Sequence, residues 1–279
     1  MNTVTAIKNT ENYALRMEGS MAEKLFFLNQ IPTGAVDTIV DFGCADGCLF
    51  QAMRQLGIDW QQVGIDNEVA FKELFLIRNP NATWIRSQYP ALDNVADPKH
   101  CILNLSSVIH EVYSYMDPKQ VELFWKSVFE SGFQYIVVRD MITVDGKNTA
   151  ANIFDLVKLN NNETYRAQKD DYERVYGKIT TSYHLYHFLL KYRYVENWNR
   201  ELHENYLPLT LDGLMDIISN GNYEIVFKNL YTNQFINNQV ENDFGIQMQK
   251  PTHIQLILKR KVRNYSYGKE RRKSIRRRF

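Results

Sequence analysis

Apolar residues first recur at helical spacing. Tyr13, Met17, Met21, Leu25 and Leu28 fall at three- or four-residue steps, which predicts a helix over about 10–30. Pro32 and Gly34 end it. The pattern then switches to short apolar runs rich in β-branched residues, separated by helical stretches. Runs at 37–42, 62–66, 82–86, 101–106 and 133–141 read as strands. Stretches at 47–56, 68–77 and 118–131 read as helices between them. Alternating strands and helices imply parallel β-α-β units with right-handed crossovers. The strands read as continuous apolar runs rather than alternating ones, as expected when both faces of a sheet are covered.

From about 148 to 208 the rhythm breaks into a Tyr-, Asn- and His-rich stretch of helical character. A helix at 211–218 and strands at 223–230 and 252–258 then resume the α/β pattern. The expected fold class is therefore α/β: a doubly wound, mostly parallel sheet with a helical insertion before its last strand pair. The segments are 1–35 (N-terminal, helical), 36–147 (core), 148–208 (insertion), 209–260 (return to the core) and 261–279 (tail).

The 279 residues are 44% hydrophobic and 23% charged, ordinary for a globular domain. No apolar run reaches the roughly 20 residues of a membrane span. The polar start lacks the apolar core of a secretory signal. Three cysteines are too few for a disulfide framework, which points to a reducing, cytoplasmic setting. The net charge of +1 hides an asymmetry. Residues 259–279 hold eleven Lys/Arg and one acidic residue, leaving 22 basic against 31 acidic residues in 1–258. Such an arm suits phosphate or an acidic partner. Nucleic acid is the expected partner, in a salt-sensitive mode. The alternatives are a protein partner, or docking on the chain's own acidic body.

The most informative segment is Val40-Asp-Phe-Gly-Cys-Ala-Asp-Gly47, between a predicted strand and a predicted helix. Gly43 permits a sharp turn and close approach of a ligand, and Gly47 gives the following helix room to pack against the strand. The helix start presents unpaired N–H groups. Asp66 ends the next strand, where a carboxylate can accept hydrogen bonds from both ribose hydroxyls of a nucleoside. The bland alternative is an ordinary strand-to-helix turn with a capping Asp. NAD shares the acidic ribose anchor, but the turn is not Gly-x-Gly-x-x-Gly, and Asp46 would repel phosphate. A cationic sulfonium nucleoside without phosphate suits an acidic turn better.

Together with Val63-Gly-Ile-Asp66, this turn resembles the first two motifs of class I S-adenosylmethionine-dependent methyltransferases. The resemblance spans about residues 36–141, with a return at 208–260. It implies a seven-stranded sheet whose last strand is antiparallel, and S-adenosylmethionine as cofactor. It further implies that Asp41, Gly43, Cys44, Ala45 and Gly47 surround the methionine part and that Asp66 holds the ribose. Ala45 departs from the glycine of many members. Ser87 follows the third strand, where members often carry an acid for the adenine amine. Asn104 and Ser106 lie on the fourth strand, facing the methyl group.

No (Asp/Asn/Ser)-Pro-Pro-aromatic tetrapeptide and no Pro-Cys pair occurs, which disfavours both classes of DNA methylation. A base is useful only where the acceptor must lose a proton. His110, Glu111 and Asp140 are the catalytic candidates, because they follow strands four and five at the edge where such sheets bind ligands. Cys44 and Cys48 sit inside the cofactor turn, and His184, His187 and His203 lack a fourth partner, so no metal site is expected. The aromatic and basic residues of 183–206 suit packing on the main domain, with an acceptor lid as the functional alternative. Methyl transfer to nucleic acid, RNA above all, is the expected activity. A small-molecule or protein acceptor is the alternative, and an inert cofactor-binding subunit a third reading.

Overall fold

The structure is a computed structural model and describes residues 20–89 and 97–261. Two expectations lie partly outside those residues: the first half of the 10–30 helix and the tail beyond Lys261.

Seven strands form one sheet: β1 (Thr38–Phe42), β2 (Gln61–Asp66), β3 (Thr83–Arg86), β4 (Cys101–Ser106), β5 (Tyr135–Met141), β6 (Tyr223–Tyr231) and β7 (His253–Arg260). Their order is β3-β2-β1-β4-β5-β7-β6. The first five pair in parallel, and β7 runs antiparallel to both β5 and β6. Every residue of β1 and β4 is buried, which is why these strands read as unbroken apolar runs. The edge strand β6 is mostly exposed and carries a bulge between Ile225 and Phe227. Bulges and exposed polar positions of this kind blunt a sheet edge.

Helices cover both faces. Helices α1 (Met21–Lys24), α2 (Cys48–Gln55) and α3 (Lys72–Arg78) lie over one face, where Phe27, Phe50, Met53 and Phe75 pack on Ile39, Ile102 and Val137. Helices α4 (Ile109–Tyr115), α5 (Pro118–Glu130) and α10 (Leu211–Ser219) cover the other, where Val112, Phe124, Val128 and Leu214 meet Val40, Leu103 and Ile136. Between β5 and α10 come α6 (Ile153–Asn160), α7 (Arg166–Tyr176), α8 (Ser182–Leu189) and α9 (Trp198–His203). Helix α11 (Gln234–Phe244) joins β6 to β7.

Three elements differ from the sequence expectation. The described part of the 10–30 helix is two short turns, α1 and a 3₁₀ turn at Phe26–Asn29. Helix α4 was not anticipated, because it spans barely two turns and interleaves His110, Glu111 and Ser114 with its apolar residues. Helix α11 was also missed. Its Asn residues and its Phe, Ile and Val have weaker helix propensity than Ala or Leu. It is held by the Asn233 cap, whose side chain accepts from Ile236 N–H at 2.8 Å, and by Gly245 at φ +66°. Ile236, Val240 and Phe244 of α11 pack into the insertion's own core with Tyr172, Phe188 and Tyr192. The insertion therefore buries its apolar face partly against a segment far along the chain.

Gly47 shows how tightly α2 and α3 approach. It has φ +73°, and a Cβ there would lie 2.2 Å from Asn79 Nδ2 and 2.7 Å from Phe75. The room it provides is for α3 and its C-terminal Asn79, not for a strand. Gly57 has φ +77° but open space around it. Gly57→Ala should cost about 1–2 kcal/mol for the left-handed backbone alone. Gly47→Ala should cost that and about 1–3 kcal/mol more for overpacking. Urea unfolding of the two variants measures the difference, and equal losses would refute the close-packing account.

Candidate active site

The sheet order reverses between β1 and β4, so the loops after these strands part and leave a crevice at their carboxyl ends. The described residues include only two non-glycine residues with positive φ, Ala45 (+44°) and Ser107 (+58°). One follows β1 and the other follows β4. Such conformations cost free energy and gather where a ligand is clamped. Each is pinned. Ala45 N–H donates to Asp66 Oδ2 at 2.8 Å. Ser107 N–H donates to the Arg139 carbonyl at 2.7 Å, and Arg139 Nη1 donates to Ser107 Oγ at 2.8 Å.

Most of the proposed cofactor residues converge here. Gly43, at φ +77°, passes so close to the β4 loop that a Cβ would lie 2.8 Å from Val108 Cγ2. Asp41 is buried and accepts from Asn104 Nδ2 at 2.7 Å. Burial raises the Asp41 carboxyl to about 6, with the Asn104 bond opposing the rise. Asp66 is likewise raised to about 6 by burial, against the N–H groups of Glu68 and Ala45 that it accepts at 2.8 Å each. Each of its oxygens keeps a lone pair beyond those bonds. On β4, buried Asn104 Oδ1 and Ser106 Oγ have no hydrogen-bond partner among the described residues, as expected of groups awaiting a ligand. Buried Cys44 packs beside Gly64, and burial pushes its thiol well up.

Two details depart from the sequence reading. Asp46 does not face the crevice as a free charge. It is buried, accepts Cys48 N–H at 3.2 Å and lies 3.1 Å from Arg78 Nη1, so it caps α2 and its charge is paired. Ser87 Oγ donates to the Tyr89 carbonyl at 2.8 Å and accepts Tyr89 N–H, so its hydroxyl is engaged in its own turn. Lys24, absent from the sequence candidates, is buried near this turn. Burial lowers its pKa, with Cys48, Asp41 and Asp46 opposing.

A cavity of about 650 Å³ lies beyond Ser107, between the sheet edge, the insertion and α11. His110 and Glu111 line it; Asp140 stands behind. The Asp140 carboxylate accepts Ile109 N–H at 2.7 Å, which caps α4, and contacts His110 Nδ1 at 2.9 Å. That bond makes Nδ1 the donor and leaves Nε2 toward the cavity, 3.9 Å from Glu204 Oε2. Burial alone would lower the pKa of His110, but Asp140, Glu204 and Glu111 raise it to about 9. Asp140 is correspondingly lowered, its burial outweighed by His110.

The other half of this cluster comes from α9 and the chain on either side of it, where the sequence reading weighed Lys191 and Arg200 as pocket-lining residues against packing and named no role for Glu201, Glu204 or Tyr206. Arg200 Nη2 reaches Glu111 at 2.9 Å and Glu204 at 2.7 Å. Tyr115 donates to Glu204 at 2.8 Å, and Tyr206 donates to Glu201. Buried Lys191 donates to the carbonyls of Glu201 and Glu204, and burial lowers it to about 7. A charged run inside an aromatic-rich helix was the available signal, but its partners on α4 lie some 90 residues away in sequence. His110, Glu111 and Glu204 bring one donor atom each within 4.8 Å of one another, a spacing that a cation can bridge. The Arg200 guanidinium already spans the two carboxylates. His187, weighed as a ligand from sequence, has Nδ1 on Tyr172 Oη at 2.9 Å and accepts Tyr206 N–H at Nε2. It is a core histidine.

No family model and no curated protein matches the chain. Among solved structures it is similar to the methyltransferase domain of bacterial CtHen1-C, at 11% identity and TM-score 0.46, covering 91% of this chain and 100% of that one. A SAM-dependent methyltransferase from Archaeoglobus fulgidus is similar at 14% identity and TM-score 0.47, covering 89% and 100%. The pyocyanin biosynthetic protein PhzM is similar at 12% and 0.49, covering 90% of this chain and 58% of PhzM. Seven strands, with β7 alone antiparallel and the crevice at the β1/β4 reversal, give this chain the fold of class I S-adenosylmethionine-dependent methyltransferases.

Proposed function

We propose that this protein binds S-adenosylmethionine in the β1/β4 crevice and transfers its methyl group to a small molecule held in the adjoining cavity. The observation that carries this reading is the convergence of strained Ala45 and Ser107, Asp66, and Asn104 Oδ1 and Ser106 Oγ, which have no partner among the described residues, at the reversal point of the sheet. The fit is specific to that place: a Cβ on Gly43 would fill the gap between the two loops. The cofactor would supply an electrophilic methyl carbon on a cationic sulfur.

The chain's own residues provide the rest. Asp66 accepts the ribose hydroxyls. Asn104 Oδ1 and Ser106 Oγ take polar contacts at the methionine end. Ser107 joins the crevice to the cavity. His110 Nε2 takes the proton that an acceptor hydroxyl or amine releases, and Asp140 holds the ring as a positioning residue. Helices α9 and α11 and the segment from Leu190 to Tyr194 wall the cavity and limit water at its His110 end, which such a displacement requires more than a strong base.

The cavity volume lies within the roughly 300–1,000 Å³ range of small-ligand sites, which favours a small acceptor. The RNA reading rests on the basic arm at 259–279, of which only 259–261 are described. Incubation with labelled cofactor and separated metabolite, RNA and protein fractions decides between them. Label in the metabolite fraction is expected. Label in RNA alone would overturn the small-molecule reading, and bound cofactor with no label anywhere would mark an inert subunit.

Asp66→Asn removes the charged acceptor but keeps the size of the side chain. It should weaken cofactor binding by about 1.5–3 kcal/mol, roughly 10- to 150-fold, in calorimetry. Unchanged affinity would remove Asp66 from the site.

The pH dependence of turnover tests His110. Its pKa in the fold, about 9, lies above its ordinary value of 6.5, so the ring is protonated at neutral pH. The neutral, proton-accepting fraction then grows as pH rises, and kcat/KM should climb from pH 7 toward 9 before levelling. His110→Ala should lose that limb while binding cofactor normally. By the same sign, the stability His110 contributes is complete below about pH 6.5 and fades as pH rises through 9. Asp140→Asn should move the kinetic limb to lower pH. A limb that stays in place would exclude the His110–Asp140 pair as its source.

A further inference from the structure

The acceptor cavity is lined by four carboxylates and by three arginines, and nearly all of these are held by an ion pair or a hydrogen bond to a neighbouring side chain. Glu111 and Glu204 hold Arg200, and Glu204 also faces His110. Glu201 accepts from Tyr206. Asp243 accepts from Tyr192 at 2.6 Å and from Tyr165 at 3.4 Å. Arg139 is tied to Glu23 at 2.5 Å. Arg193 differs. Its guanidinium lies 5.0 Å from the Tyr194 ring centre and 5.1 Å from that of Phe235, and Nη2 donates to Tyr194 Oη at 3.1 Å. It has no carboxylate partner among the described residues. Two aromatic rings hold the guanidinium while leaving most of its N–H donors free.

The surroundings fit an anion. Phe235 and Gln239 are four residues apart on α11 and so share a face, and both line the cavity. No hydrogen bond of the Gln239 side chain to another described residue occurs, so its amide adds a second donor to the cavity wall. Phe235 is 63% exposed and Arg193 is half-buried, whereas His110 at the far end is 6% exposed. The free cation therefore stands toward the mouth and the proton acceptor at the dry end. Tyr194, Tyr206 and Leu190 supply the wall between them.

We infer that the acceptor is a small aromatic acid, whose carboxylate is bound by Arg193 at the mouth and whose nucleophilic hydroxyl meets His110 at the base. The placement of the hydroxyl rests on the function proposed above; the anion site does not. An Arg guanidinium suits a carboxylate because its paired N–H donors match the two oxygens. A cationic acceptor would meet Arg193 at the entrance and carboxylates that already have donors.

The probes are 4-hydroxybenzoate, its neutral counterpart 4-hydroxybenzamide, and the cation tyramine. Each is titrated calorimetrically into the full chain with and without S-adenosylhomocysteine. The benzoate should bind at least roughly tenfold more tightly than either of the others. Arg193→Gln should abolish that preference, and Arg193→Lys should restore part of it. Both variants should bind S-adenosylhomocysteine with unchanged affinity. Equal binding of benzoate and amide, stronger binding of tyramine, a preference that survives Arg193→Gln, or no binding of any probe would each overturn the inference. Failure of S-adenosylhomocysteine to bind would sink the proposed function, while the titrations without it still read the anion site.

Discussion

Charge balance at a buried junction governs this molecule. The helical insertion meets the carboxyl edge of the sheet through ionisable groups with little water around them. An unpaired charge there is costly, and removing one partner of a buried pair is strongly destabilising. Asp140 carries two duties at this junction, capping α4 and holding His110. Arg200 ties the insertion to α4 by joining Glu111 and Glu204. Lys191 sits between the Tyr176 and Tyr206 rings and closes the chain around α9 through the Glu201 and Glu204 carbonyls. The insertion and the carboxyl edge of the sheet therefore share one set of interactions.

The N-terminal segment is fastened in the same way. Glu23 receives Arg139 from β5, Tyr231 from the end of β6 and Asn233 from the α11 cap. Gln255 on β7 donates to the Glu23 carbonyl at 2.8 Å. One carboxylate thus links α1, the central sheet and α11. Arg139 is shared between this hub and Ser107, so the backbone conformation at the crevice is coupled to the segment that crosses above it. These links explain how a short helix of four residues stays in place without a long apolar stripe of its own.

The crevice and the cavity differ in how they are built. The crevice is made by backbone: two loops parted by the sheet reversal, two residues in strained conformations and one glycine with no room for a side chain. The cavity is made by side chains from elements distant in sequence, brought together by burial of aromatic residues in the insertion. That division suits a site where one ligand is shared by many proteins of the fold and the other is particular to the chain.

The same division decides what was legible in the sequence. Strand and helix alternation, the Gly43 turn, the place of Asp66 at the end of β2 and the helical insertion follow from local chemistry, because apolar runs, glycine freedom and strand ends act over a few residues. The small helices α4 and α11 were not legible, since their caps and tertiary contacts, rather than propensity, stabilise them. The charge on Asp46 was misjudged, because its partner Arg78 lies a crossover away. Gly47 was given the wrong neighbour for the same reason. Nor could Glu204, Arg200 or Arg193 be assigned from sequence, because whether a charge is paired or free depends on which elements the fold brings against it. The chain alone determined the sheet and the glycine turn after β1 through short-range constraints. Only the folded arrangement decided which charges around the cavity are paired, because those pairings join segments far apart in the chain.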